Sequence, residues 1–165
     1  MNTTASNSVS RFFILLLLVV VGFLAYDRID EFRAGREIAK RVLEGRRPLF
    51  DRLGGKAGIE AVTDDFLSRL TKELRFQRLF AGAPPELLKT VRNHLVEQLC
   101  EATGGPCKYS GRDMRTVHKG MAITEEDWNT TLGLLQSSLD RYHVASREQE
   151  ELKAIIATTK AAIVE

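Results

Sequence analysis

Three histidines occur in the 165-residue chain, and one of them stands in unusual company. His118 lies in the stretch 104–123, GGPCKYSGRDMRTVHKGMAI, which holds four glycines, one proline and no sustained period. The same stretch carries Tyr109, Met114, Val117 and Met121, too many apolar groups for a solvated tail. A long irregular segment inside a compact domain is usually functional or disordered, and this one is expected to pack against something. A neutral imidazole is a good ligand for transition metals, which makes His118 a candidate metal-binding residue. Taken alone, a histidine is more often an ordinary surface or core residue. Cys100 and Cys107 are too few for a four-ligand zinc site without help from other residue types. A bridge between them would close a small loop, worth roughly 2.5 kcal/mol in an oxidising compartment. Two reduced thiols are the alternative.

The elements that must position these residues are helices. Ile59, Val62, Phe66, Leu67 and Leu70 recur at helical spacing after the Gly54-Gly55 pair. Leu87 or Leu88, Val91, Leu95 and Leu99 mark a second helix, begun after Pro84-Pro85 and ended before Gly104. Thr124 and Asp127 resemble a capping box that opens a third, with Trp128, Leu132, Leu135 and Leu139 on its apolar face. Ser146 with Gln149 is expected to open a fourth, which carries Leu152, Ile155, Ile156, Thr159 and Ile163. No run alternates in the manner of a strand. Between the second and third helices the pattern allows at most a short helix around Met114–His118. The expectation is an all-α domain over residues 48–165, with Pro48 as its boundary.

Residues 1–47 differ in kind. They carry eight basic and five acidic residues, which leaves 16 basic against 17 acidic for the remainder. The larger part is nearly neutral, so a nucleic-acid footprint is not expected. Phe12–Tyr26 is an unbroken apolar run of 15 residues, flanked by Arg11 and Asp27. As a helix it spans roughly 22 Å, short of the ~30 Å hydrocarbon core, with Arg11 and Tyr26 placed to make up part of the difference. Residues 1–26 therefore read as one hydrophobic helix, an N-terminal membrane anchor or uncleaved signal, and 27–47 as a linker. A cleaved signal peptide is the competing reading, though Phe23 and Ala25 match a cleavage site poorly. The basic residues after the run favour a cytoplasmic domain. The export-like layout and the cysteines lean towards the periplasmic side of a bacterial inner membrane.

From Leu49 onward the chain resembles the group 1 truncated haemoglobins, shortened globins with a two-over-two helical sandwich. The resemblance rests on LFDRLGG at 49–55, IEAVTDDF at 59–66, LFAG at 79–82, TGGP at 103–106 and YSGRDMRTVHKGMAIT at 109–124. It implies a b-type haem (iron protoporphyrin IX) with His118 as proximal iron ligand, and Phe80 packed on the haem. It also implies cofactor contacts from Val91, Leu95 and Met114. Tyr109 and Arg112 would meet the haem propionates or merely solvate the loop.

The distal side departs from the pattern. Many group 1 members carry a tyrosine just after the Asp-Phe pair, where this chain has Leu67, which cannot donate a hydrogen bond. A distal hydrogen bond is worth roughly 0.5–3 kcal/mol, so bound oxygen is expected to leave faster unless another donor replaces it. One alignment turns Val91, His94, Leu95 and Gln98 towards the haem. A second turns Leu88, Arg92 and Leu95 inward. In the first, His94 matches a position where some members carry a histidine that can bind iron as a sixth ligand, or it is a polar residue at the rim. Gln98 is a candidate replacement donor.

The resemblance implies reversible binding of oxygen, and of nitric oxide or carbon monoxide, at a His-ligated haem iron. Nitric oxide dioxygenase or peroxidase activity is the enzymatic alternative, and a gas or redox sensor the third. The enzymatic reading needs an external reductase or small reductant, because the chain carries no dinucleotide-binding glycine fingerprint. A plain helical interaction module without haem requires His118 to be incidental.

Overall fold

The computed structural model describes residues 47–165 without a break, together with Arg33, Arg36, Glu37, Lys40, Val42, Leu43 and Gly45. The chain divides into two compact units, Met1–Arg46 and Arg47–Glu165. In the first unit the described residues from Arg33 to Leu43 are helical and Gly45 is in a turn. The apolar run 12–26, and with it the expected membrane helix, lies outside the described residues. Among the described residues no helix is long and apolar enough to cross a membrane.

The second unit is helical throughout. Its elements are α1 (Leu49–Arg52), α2 (Gly55–Leu70), a 3-10 turn (Leu74–Phe76), α3 (Gln77–Phe80), α4 (Pro85–Ala102), α5 (Met114–His118), α6 (Glu125–Arg141), α7 (Ser146–Ala157) and α8 (Lys160–Ile163). The long helix α2 packs against both α4 and α6 and is the centre of the arrangement. One core cluster joins Leu49, Val62, Leu135, Leu139 and Leu152. A second joins Ile59, Val96 and Cys100. Ile59, Val62, Leu135, Leu139 and Leu152 are residues that the helical period places on inward faces, whereas Leu49, Val96 and Cys100 were not expected there; truncating one of the leucines would cost about 2–5 kcal/mol.

Helix boundaries follow local chemistry. Gly54 precedes α2 at φ +87°, a left-handed conformation that costs glycine little. Pro85 occupies the first turn of α4, where its missing N–H is no loss. At α6 the capping box is complete: the Thr124 hydroxyl accepts from the Asp127 N–H at 3.1 Å, and the Asp127 carboxylate accepts from the Thr124 N–H at 3.0 Å. The fourth helix departs from expectation. Ala145 holds the cap position, Ser146 is already inside the helix, and no side chain caps it. Gln149 is buried and donates instead to the Val144 carbonyl (2.8 Å) and to Asp140 (3.0 Å). The helix also stops at Ala157 and restarts at Lys160 as α8.

Cys100 and Cys107 form a disulfide that ties the end of α4 to the irregular segment. Within the loop it closes, Gly105 admits no side chain, because a Cβ there would lie 2.5 Å from the Phe50 ring and 2.7 Å from the Cys100 sulfur.

Candidate functional site

α2, α4, α5, α6 and α7 enclose a cavity of about 660 Å³, well within the range of cofactor pockets. Its wall is overwhelmingly apolar, with Phe66, Phe76, Phe80, Leu95, Trp128 and Ile156 among the contributors. His118 lines it from the end of α5. The Nδ1 atom of His118 lies 2.9 Å from the carbonyl oxygen of Met114, one turn earlier. A carbonyl only accepts, so Nδ1 carries a proton, and in the neutral imidazole Nε2 then has the lone pair. This is the tautomer of a metal-ligating imidazole, oriented through its other nitrogen.

A five-residue helix is too short to hold such a residue on its own propensity, and α5 is braced from several sides. At its start the Asp113 carboxylate accepts from the backbone N–H of Thr116 (3.0 Å) and from its hydroxyl (2.6 Å). These bonds hold Asp113 below the usual carboxylate range, the hydroxyl contributing most. Beyond His118, the Glu165 carboxylate accepts from the Gly120 N–H (2.6 Å) and the Ala122 N–H (2.9 Å). Arg78 donates to the carbonyls of Met121 (2.6 Å) and Ala122 (3.2 Å). Ala122 sits at φ +51°, which a non-glycine residue adopts only when its surroundings enforce it.

Arg78 and Arg75 also converge on the buried Asp127, each at 3.3 Å. The Thr124 N–H does most to hold that carboxyl below its ordinary range. Burial opposes it, and the Thr124 hydroxyl and Arg75 assist.

The opposite wall comes from α4. Val91, His94, Leu95 and Gln98 all line the cavity, as does Leu88. Arg92 does not. Its guanidinium forks onto Asp64 of α2 at 2.5 and 3.0 Å, so of the residues that the second alignment turns inward only Leu88 and Leu95 line the cavity. The Gln98 amide nitrogen lies 3.3 Å from the Met114 sulfur, linking α4 to the helix that carries His118. His94 meets Tyr109 edge to face, with ring centroids 5.8 Å apart.

The segment after the disulfide is stitched to α4. Glu101 accepts from the Tyr109 N–H (2.9 Å), and Glu97 from the Ser110 N–H (3.0 Å) and hydroxyl (2.7 Å). Both carboxylates are held below their usual range by these donors, Ser110 leading for Glu97 and Tyr109 for Glu101. The Tyr109 hydroxyl is pushed up by burial and by the nearby charge of Glu97.

Of the residues expected around a cofactor, His118, His94, Phe80, Val91, Leu95, Arg112 and Met114 line one cavity. Tyr109 and Leu67 are not among its lining residues. The Tyr109 hydroxyl donates to the Arg112 carbonyl at 2.7 Å, which fixes the loop rather than offering a contact to a propionate. On α2 the wall is made by Val62, Thr63, Phe66 and Leu70, so the position expected to be distal, Leu67, is replaced by its neighbours on the helix. Phe76, Trp128, Ile155 and Thr63 also line the cavity and were not expected there.

Residues 48–165 match the family of bacterial-like globins. The chain belongs to that family. This globin is 31% identical over 109 residues to the group 1 truncated hemoglobin GlbN of Mycolicibacterium paratuberculosis, covering 66% of this chain and 78% of that protein. It is 27% identical over 115 residues to the GlbN of a Nostoc species, covering 70% and 95%. Among solved structures, a truncated hemoglobin from Tetrahymena pyriformis superimposes with a TM-score of 0.66 at 20% identity, covering 72% of this chain and 98% of that one. THB1 of Chlamydomonas reinhardtii gives 0.61 at 25% identity, covering 73% and 98%.

The cofactor of this globin is haem b, and the cavity suits it. A flat macrocycle with two carboxylates needs an apolar slot, an axial base and a cationic rim. Here the apolar wall, His118 and the exposed Arg112 provide them. Among the described residues no cluster of three or more His, Cys, Asp or Glu could hold a metal ion.

Proposed function

We propose that His118 is the proximal ligand of the haem iron and that the opposite side of the cavity receives a diatomic gas: oxygen, nitric oxide or carbon monoxide. The observation that carries this reading is the 2.9 Å contact between His118 Nδ1 and the Met114 carbonyl, which leaves Nε2 as the ring nitrogen available to a metal. Haem, held through His118, would supply the iron at which a gas binds. The chain's own residues orient the imidazole, exclude water with an apolar wall, and leave Val91 and Leu95 as non-polar neighbours of the gas.

We further propose that the apolar run 12–26 tethers the globin to a membrane. The Cys100–Cys107 disulfide supports the periplasmic side, because such bonds persist in oxidising compartments. Turnover of nitric oxide, if it accompanies gas binding, would require an external reductase or small reductant.

Absorption spectra of the full chain, loaded with haem in detergent, test the central point. Wild type is expected to take up haem stoichiometrically and to bind carbon monoxide when reduced. His118→Ala should lose or disrupt that spectrum, and a variant indistinguishable from wild type would remove His118 from the role. Fractionation of cells expressing the chain with and without residues 1–26 tests the tether.

A further inference from the structure

The basic surplus of the chain is concentrated in one short stretch. Residues 33–47 hold six basic and two acidic residues, whereas residues 48–165 hold 16 basic against 17 acidic. The described residues from Arg33 to Leu43 are helical, and Arg33, Arg36, Glu37, Lys40, Val42 and Leu43 are all exposed. Arg33, Arg36, Lys40 and Leu43 fall at i, i+3, i+7 and i+10, which is one stripe along a helix. Leu43 stands at one edge of that stripe, with Val42 about 100° further round on the same side. Glu37, one turn after Arg33, borders the opposite edge.

Val42 and Leu43 are 53% and 62% exposed. A single exposed aliphatic residue needs no explanation. Two adjacent ones flanked by a cationic stripe describe a helix built for an interface, apolar below and basic along the flank. An apolar protein surface would bury the cations at a cost. A nucleic-acid backbone would satisfy the cations but give Val42 and Leu43 nothing to pack on. The headgroup layer of an anionic bilayer serves both: its phosphates take the guanidinium and ammonium groups, whose stems lie along the acyl boundary that receives the aliphatic side chains. Chain order agrees. Six residues separate Arg33 from the apolar run 12–26, so Arg33 lies within about 25 Å of the end of that run.

We propose that the helix from Arg33 to Leu43 docks on the surface of an anionic bilayer, with Arg33, Arg36 and Lys40 at the lipid phosphates and Val42 and Leu43 at the acyl boundary. The inference rests on the tether reading only for bringing the helix to a membrane. Its consequence is a globin held close to the lipid surface instead of swinging on a loose linker.

The test uses the full chain mixed with vesicles of phosphatidylcholine alone, or with about one quarter phosphatidylglycerol. Sedimentation reads the attachment, and limited trypsin digestion reads the helix, because trypsin cuts after Arg33, Arg36 and Lys40. Cleavage after the exposed Lys108 is the internal reference. Relative to Lys108, cleavage at the three sites should be about tenfold slower or more on the anionic vesicles, and salt at about 0.5 M should abolish the difference. A Val42→Ser, Leu43→Ser double variant keeps every trypsin site and should lose much of the protection. Attachment to both vesicles with equal cleavage on each would overturn the docking proposal and leave the tether intact. Attachment to anionic vesicles alone, with the helix protected, would support docking and remove the tether. Attachment to neither would remove both. Equal protection by duplex DNA would overturn the assignment to lipid.

Discussion

Arg92 reaches from α4 to hold both carboxylate oxygens of Asp64 on α2, at 2.5 and 3.0 Å. The pair decides which face of α4 looks inward, because a helix that commits residue 92 to its neighbour turns residues 91, 94, 95 and 98 to the cavity. Arg92→Ala is expected to cost only about 0.5–1 kcal/mol in urea melts, since the pair is partly exposed. Haem retention should change by no more than about fivefold on that scale. A large loss of haem affinity would mean that Arg92 contacts the cofactor after all.

His118→Gly opens a direct test of the proximal base. Added imidazole should enter the space left by the side chain and restore the wild-type haem spectrum, whereas wild type should be indifferent to it at the same concentration. Absence of rescue, with the apo-protein folded by circular dichroism, would count against an axial role.

His94 is predicted to stay at the rim. Its ring is held edge-on against Tyr109, itself fixed through its hydroxyl to the Arg112 carbonyl. Ferrous wild type should therefore be five-coordinate, and His94→Ala should leave that coordination unchanged in resonance Raman spectra. A six-coordinate wild type that becomes five-coordinate in the variant would make His94 the sixth ligand.

Loss of the disulfide in a Cys100→Ser, Cys107→Ser double variant should destabilise the globin by roughly 2–2.5 kcal/mol, from the loop entropy of a seven-residue separation. Hydrogen exchange should quicken at the amides of Tyr109 and Ser110, which that bond holds within reach of Glu101 and Glu97. Unchanged exchange there would show that the two carboxylates suffice.

The pH dependence has a definite sign. Asp127 and Asp113 are both held below their ordinary carboxylate values in the folded protein, so folding favours their charged forms. Their contribution is complete above the unfolded-state value of about 4, and it is lost as pH falls through the lower folded values. Asp127→Asn should lower stability at neutral pH by about 1–3 kcal/mol and flatten the acid limb of the stability curve. A parallel downward shift with an unaltered acid slope would assign that limb to other groups.

Much of this arrangement was legible because the long helices announce themselves by period. α2, α4 and α6 carry their inward residues three and four apart, and the Thr124–Asp127 box marks where α6 begins. His118 stood out by the irregular, apolar segment around it. Other features leave no such trace. Four-residue helices such as α1 and α3 are too short to show a period. The start of α7 escaped because Ser146 and Gln149 have the residue types of a cap, yet Gln149 is drawn to Asp140 and Val144, a tertiary preference. Leu67 and Tyr109 were placed by resemblance, and the packing of α2 and a hydroxyl bonded to Arg112 set them aside.

The backbone just past His118 is gripped from two directions, Glu165 taking amide protons and Arg78 supplying them to carbonyls within the same three residues. Such a vice gives the proximal side stiffness. On the proposed proximal role of His118, any pull on the imidazole would load the two anchoring side chains and, through Arg78, Asp127 at the head of α6. The seating of Glu165, 47 positions along the chain, would then limit how far that histidine can move.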